Sequence, residues 1–229
     1  MSIRSAFAAS TVLAVVAGSA SAQYLTVDFS SQFNMSRTAA FLGNGETFPT
    51  GDNTNLGVKF AIGGDADPAT NFAWGAYEAV TGGPATLTVD VNQFGVTKGY
   101  SLINTLWGQG GPTSYASITF TATNGLTYTK NLIGNEDIRD YNQFVWTNSI
   151  NGTSTQEWWS NDLGQRLDMQ EYILPDAFAS ETLLTISITD TGAADFQRAF
   201  VAGLTVFVPA PSTACAVLAG LGLIARRRR

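Results

Sequence analysis

The residues able to do chemistry in this chain are few, and each group points to a different kind of site. The stretch EWWSND places Trp158 and Trp159 beside Glu157, Asn161 and Asp162. Flat aromatic faces next to amide and carboxylate groups suit a sugar ring, whose axial C–H groups stack on an indole while its hydroxyls are hydrogen-bonded. Read as a polar loop, EWWSND makes Trp158, Trp159 and Asn161 the candidate ligand-binding residues, because loops on a rigid scaffold carry recognition. Adjacent residues of an extended segment point opposite ways, so one tryptophan packs while the other faces solvent. The competing reading is structural: two large side chains pinning a loop over the core. Trp107 and Trp146 end apolar runs and are expected inside.

A second group is acidic. Asp65 and Asp67 in GGDADPATN, with Asp52, Asn53 and Asn55 in GDNTN, offer the hard oxygen ligands that calcium takes. The spacing is not that of an EF-hand, so Asp65 and Asp67 are candidate ligands of a structural calcium ion only, and no other cofactor is expected. The same residue types serve equally as turn formers. A third group, Glu136, Asp137 and Asp140 in GNEDIRDYN, raises hydrolysis, since glycosidases need two carboxyls facing each other across a bond. The spacing does not alternate as carboxylates on one strand face would. Arg139 is expected to pair with one of these acids at the surface, and no catalytic residue is assigned.

Absences narrow the chemistry further. The chain has no histidine, which removes His-activated nucleophiles and the usual zinc sites. Its single cysteine, Cys215, permits no intrachain disulfide. Between Gln23 and Val208, seven Lys and Arg stand against eighteen Asp and Glu, a formal balance of −11. A surface of that sign repels phosphate backbones, so no nucleic-acid partner is expected. Charge density is nevertheless low, and Thr, Asn, Gly and Ser are plentiful, which suits an uncharged hydrogen-bonding partner.

The elements that must position these residues read as strands. In YASITFTAT, Ile118, Phe120 and Ala122 alternate with Ser117, Thr119 and Thr121. Asn124-Gly125, the favoured type I′ pair, then leads into LTYTKNLI and predicts a hairpin. YLTVDF, LGVKFAI, TLTVDV, YSLINTLW, QFVWT, TLLTISIT and RAFVAGLTVF are likewise β-branched and aromatic, and Gly, Pro, Asn and Asp clusters separate them. GQRLDMQEY alone suggests a short helical turn. Eight to ten short strands predict an all-β fold: a single antiparallel two-sheet sandwich of the jelly-roll type over residues 23–208.

The two ends differ from the body. Residues 1–22 carry Arg4, a short small-apolar run and the exit Ala20-Ser21-Ala22, the pattern of a cleavable signal peptide. From Pro209 to Ala225 the chain has no charge, and Arg226, Arg227, Arg228 and Arg229 follow. Seventeen such residues are just enough for a membrane-spanning helix, and arginines at its end hold it on the cytoplasmic side. Segment 209–229 is therefore expected to be a transmembrane or sorting helix.

Two resemblances follow from these residues. YSLINTLWGQGGPTSYASITFTATNGLTYTKNLIGNEDIRDY is similar to the core of galactose-binding-like jelly-roll modules, through Ile118, Phe120, Asn124, Gly125, Gly134, Ile138, Arg139 and Asp140, with Tyr141 where tryptophan is common. That fold hosts glycan binders, adhesion modules and passive accessory domains alike. The tail resembles the PEP-CTERM sorting signal in its order of Pro-x-Pro, apolar segment and arginine cluster, with Pro209-Ala210-Pro211 in place of Pro-Glu-Pro. The resemblance implies export, a membrane-embedded exosortase as processing partner, transient or permanent anchoring through the tail, and exopolysaccharide as a neighbour. The expected role is a non-enzymatic binding or matrix protein at the cell surface. A purely structural surface protein without small ligand, and a secreted carbohydrate-active hydrolase, are the alternatives.

Overall fold

The hairpin predicted around Asn124-Gly125 forms, and it shows how the rest of the chain is built. In the computed structural model, which describes residues 21–38, 47–76, 84–108, 114–143, 149–192 and 197–210, β8 (Ser114–Ala122) pairs antiparallel with β9 (Thr127–Ile133). Asn124 and Gly125 both take positive φ, 59° and 73°, and the Leu126 amide donates to the Thr123 carbonyl. Asparagine and glycine tolerate this left-handed backbone best. Ala116, Ile118, Phe120 and Ala122 are buried on one face of β8, as their period-two spacing requires.

Eleven further strands complete the described part: β1 (Gln23–Thr26), β2 (Met35–Ser36), β3 (Gly51–Asn55), β4 (Val58–Ile62), β5 (Asn71–Gly75), β6 (Ala85–Phe94), β7 (Lys98–Leu106), β10 (Thr155–Ser160), β11 (Arg166–Ile173), β12 (Thr182–Asp190) and β13 (Arg198–Val208). The thirteen strands form a four-stranded sheet, β6-β12-β8-β9, a seven-stranded sheet, β10-β11-β7-β13-β5-β2, in which β1 also pairs with β13, and a two-stranded sheet, β3-β4. All strand pairs are antiparallel. Residues Gln23–Pro209 make one compact unit.

The all-β, sandwich-like expectation holds, but the layering differs from a simple two-sheet body. The two larger sheets enclose one core, with Leu87, Ile118, Phe120, Ile186 and Ile188 meeting Ile103, Val201 and Leu204. On the other face of the seven-stranded sheet, the β3–β4 hairpin and Phe48 cover a second core containing Phe60, Phe72, Leu102, Trp158, Leu167 and Phe200. Strands β7 and β13 are thus buried on both faces, which explains why RAFVAGLTVF is a continuous apolar run and not an alternating one. Gly99 in β7 allows close approach here: a Cβ at that position would sit 2.4 Å from the Phe120 ring.

One local reading is corrected. GQRLDMQEY is not a helical turn: Arg166–Ile173 is strand β11, between β10 and β7. GDNTN, whose Asp52, Asn53 and Asn55 offer oxygen ligands or turn formers, is strand β3, paired with β4 and carrying a Lys59–Asp52 ion pair of 2.6 Å at the surface. The run QFVWT falls almost entirely outside the described residues, and Trp146 with it.

Candidate functional site

EWWSND belongs to the edge strand β10 and its exit, not to a polar loop. Pairing with β11 steps from Glu157↔Asp168 to Trp159↔Leu167, so Trp158 is the extra residue of a β-bulge. The bulge cancels the alternation that would have separated the neighbours, and both tryptophans pack on the second core. Trp158 is 2% exposed, lies edge-on to Phe60 at 5.5 Å between ring centroids, and donates its indole N–H to the Asn55 carbonyl at 3.0 Å. It offers no face to a ligand, which corrects its reading as a sugar platform. Trp159 is half-buried, 5.7 Å from Phe48. Asn161 spends its amide on the chain itself: Nδ2 donates to Thr47 Oγ1 and Gln165 Oε1, and Oδ1 accepts from the Leu163 and Gln165 amides. It closes the β10–β11 turn.

Among the described tryptophans, the one that faces solvent is Trp107, 51% exposed, against the expectation that it lies inside. It follows β7 with φ 57°, and Asp140 Oδ2 accepts from the next amide, Gly108, at 2.9 Å. Trp74 is buried in the first core.

Asp65 and Asp67 act as turn formers. Asp65 Oδ1 accepts from the Asp67 amide (2.8 Å) and Thr70 Oγ1 (3.0 Å), and Asp67 Oδ1 accepts from the Ala69 amide (2.9 Å). Their carbonyl oxygens receive the Arg37 guanidinium. Among the described residues, no group of three or more His, Cys, Asp or Glu side chains is placed to hold a metal ion.

GNEDIRDYN proves to be neither a surface loop nor a pair of facing carboxyls. Strands β7 and β11 pair as far as Leu102↔Met169 and then part. Residues 139–142 enter the fork, with a parallel bridge Thr105↔Asp140 and an antiparallel bridge Asn142↔Gln165. The Thr105 amide donates to the Arg139 carbonyl, and the Tyr141 amide to the Thr105 carbonyl. Side chains fill what backbone cannot reach. Gln170 takes both backbone groups of Ile103, at 3.1 and 2.9 Å. Asn104 accepts from the Asp168 amide at 2.8 Å and donates to its carboxylate at 2.7 Å.

At the crotch of the fork, Arg139 grips Asp168 through Nε (2.8 Å) and Nη2 (2.7 Å) and reaches Glu157 at 2.9 Å. Arg139 is buried and pairs with residues of β10 and β11, so its reading as a surface tie to a neighbouring acid is corrected. Burial works against its charge, but Asp168 and Glu157 outweigh that and raise its pKa. Nearby, burial lifts Asp140 to about 6, although the Asn142 and Gly108 amides and the Arg166 charge oppose the shift. Arg166 is lowered to about 10, first by burial and then by repulsion from Arg139.

Sequence reasoning passed over Asn104, Arg166, Asp168 and Gln170. The signal was present: in RLDMQEY, Arg166, Asp168 and Gln170 alternate with Leu167 and Met169, a two-residue period that the helical reading concealed.

An open groove of about 460 Å³ lies between the edges of the two larger sheets, where β9 meets β11 and the segment before β10. Tyr128, Lys130, Thr153, Ser154, Glu171 and Ile173 are among its walls. Its charges are internally matched: Lys130 lies 3.0 Å from Asp137, and Lys98 lies 2.6 Å from Glu171. Asp137 also accepts from the Ile133 amide at 3.1 Å. Of the three acids in GNED and IRDY, only Asp137 lines the groove, and Glu136 and Asp140 do not. A concave site of this size, with mixed polar and apolar walls and paired charge, suits a small uncharged molecule.

Pro209 and Ala210 are exposed and follow β13, while Pro211, Arg226–Arg229 and residues 1–20 lie outside the described residues. Among the described residues no helix is long and apolar enough to cross a membrane. No protein-family model matches the chain, and no curated protein matches it. Fold and site together define an all-β, sandwich-like protein with an open groove of mixed polarity at its edge.

Proposed function

We propose that this chain is an exported surface or extracellular-matrix protein whose β-sandwich is a non-enzymatic binding module in a polysaccharide-rich envelope. Within the all-β frame we read a jelly-roll body akin to galactose-binding-like modules. Residues 1–22 are read as a signal peptide, and 209–229 as a PEP-CTERM-like segment handled by an exosortase-like membrane enzyme. The observation that carries the binding reading is the groove between β9 and β11. It is large enough for a small sugar, and its lysines and carboxylates are already paired within the chain, which favours a neutral polyhydroxylated ligand over an ion. Nucleic acid is no partner of so acidic a body.

Binding of soluble neutral oligosaccharides, measured on a glycan array, tests the groove. Tyr128→Ala and Lys130→Ala should abolish it; because Tyr128 also packs against the first core and Lys130 pairs with the buried Asp137, both variants should have lower thermal midpoints, and binding is compared well below them. Absence of any binding by the parent protein would leave the second reading, a structural surface protein without small ligand. The inward commitment of Trp158 and Asn161 favours that reading. The sorting reading is tested by intact mass of surface-extracted protein from a host that has an exosortase. Loss of residues 1–22 and of the segment beyond the proline motif is expected, and retention of the arginine tail would make the segment a permanent anchor.

A further inference from the structure

The outer face of the four-stranded sheet carries a pattern that neither the groove nor the tail uses. Its inner side holds Leu87, Val89, Ile118, Phe120, Ile186 and Ile188 in the core. Over Thr86–Asp90, Thr185–Thr189, Ser117–Thr121 and Thr127–Asn131 the outward residues are almost all hydroxyl-bearing and the strand registers align them, while beyond this stretch β6 exposes Asn92 and Phe94. Thr88, Ser187, Thr119 and Thr129 stand opposite one another across β6, β12, β8 and β9. The row on one side contains Thr185, Thr121 and Thr127, and the row on the other contains Thr86, Thr189 and Ser117. Asp90 and Asn131 close opposite corners. The result is a grid of three rows by four columns, spaced about 6.8 Å along each strand and about 4.8 Å across.

Six of the ten hydroxyls are oriented in mutual pairs. Thr86 and Thr189 lie 2.9 Å apart, Thr88 and Ser187 3.1 Å, and Thr119 and Thr129 2.9 Å. Each pair uses one proton internally, so its second proton and remaining lone pairs point outward as a donor and acceptors. β-branched side chains over a packed core hold this array stiffly. The grid has no basic or aromatic residue, so it is built neither for anions nor for ring stacking. On a body whose formal balance is −11, its one charge is the corner carboxylate of Asp90.

We infer that this face docks onto the surface of an ordered, uncharged polysaccharide, whose chains present hydroxyls at regular intervals in two dimensions. The inference rests on the polysaccharide-envelope reading above but uses a different surface from the groove. Periodicity calls for a periodic partner, and matched donors and acceptors call for hydroxyls. The lack of charge calls for a neutral chain, because a polyuronate would be repelled by the acidic body. Each contact replaces one with water and contributes little alone. Retention therefore arises only when many form together, on a packed surface and not on a short soluble chain.

Sedimentation of the full chain with microcrystalline cellulose and with chitin, against a polysaccharide-free control, tests this. The chain should pellet with at least one of them, and soluble cellohexaose should not compete. Thr119→Lys combined with Ser187→Lys should reduce retention at least tenfold. Should that variant fold poorly, the combination Thr88→Val, Thr119→Val and Thr129→Val removes hydroxyls while keeping β-branched shape, and should act in the same direction. Tyr128→Ala and Lys130→Ala should leave retention unchanged. Failure of oligosaccharide binding with retention intact would thus sink the groove reading alone. No retention on either solid, or equal retention by parent and grid variants, overturns the proposal. So does faceting of ice crystals by a chain that ignores both polysaccharides, or grid-dependent self-association as the only effect.

Discussion

Arg139 meets Asp168 through two nitrogen–oxygen contacts, 2.8 Å from Nε and 2.7 Å from Nη2, at the point where β7 and β11 separate. Both residues are buried, Asp168 completely. Removing one partner of such a pair strands the other charge in the interior, at a cost of about 3–5 kcal/mol. Asp168→Ala should destabilise the domain by that amount in denaturant titration. Glu157→Gln, at the half-exposed outer contact of the same guanidinium, should cost about 1 kcal/mol or less.

Asp140 gives the domain a pH dependence opposite to that of an ordinary surface carboxylate. Burial raises its folded pKa to about 6 from the usual 3.8, so the folded state holds this proton more tightly than the unfolded chain does. Its contribution is fully present below about pH 4 and is lost as pH rises through 6, worth on the order of 3 kcal/mol. Burial raises Asp190 as well, with the same sign. The thermal midpoint should therefore be higher near pH 5 than near pH 7. Asp140→Asn should flatten that difference, and an unchanged profile in the variant would assign it elsewhere.

The four described tryptophans divide by place in the fold. Truncating a buried one costs about 3–5 kcal/mol, so Trp158→Ala should lower the midpoint strongly. Trp107→Ala should shift stability by about 0.5 kcal/mol or less, since half of the side chain is in solvent. Because Trp107 sits at φ 57°, Trp107→Gly should be more stable than Trp107→Ala by about 1 kcal/mol. Equal stability of the Trp158 and Trp107 alanine variants would contradict this division.

Gly99 and Phe120 fix the distance between the two larger sheets. A methyl at Gly99 would lie 2.4 and 2.6 Å from ring carbons of Phe120, well inside contact distance. Gly99→Ala should cost about 1–3 kcal/mol by overpacking. Combining it with Phe120→Leu should recover part of the loss, a coupling that a double-mutant cycle measures.

The sequence by itself determined the strands that obey one face at a time. β8 and β9 alternate cleanly and are joined by Asn124-Gly125, so local chemistry fixes both register and turn. The runs in β4, β6 and β12 were legible for the same reason, and those in β7 and β13, buried on both faces, through β-branched and aromatic residues bounded by turn formers. The hydroxyl alternation of the outer face was likewise visible, as TLT, TFT, TYT and TISIT. That these hydroxyls fall into rows was not, because register between strands distant in sequence is set by core packing and not by either strand alone.

Tertiary structure decided the rest. The bulge at Trp158 turns two adjacent indoles toward one core, which residue alternation forbids without it. Arg166, Asp168 and Gln170 are polar yet buried because residues 139–142 enter the fork beside them, and burial of such groups is tolerated only where partners from elsewhere in the chain satisfy them. Those partners lie some thirty to seventy residues away, at Asn104, Ile103 and Arg139. No window along the chain contains them together, so only the folded structure brings them into one network.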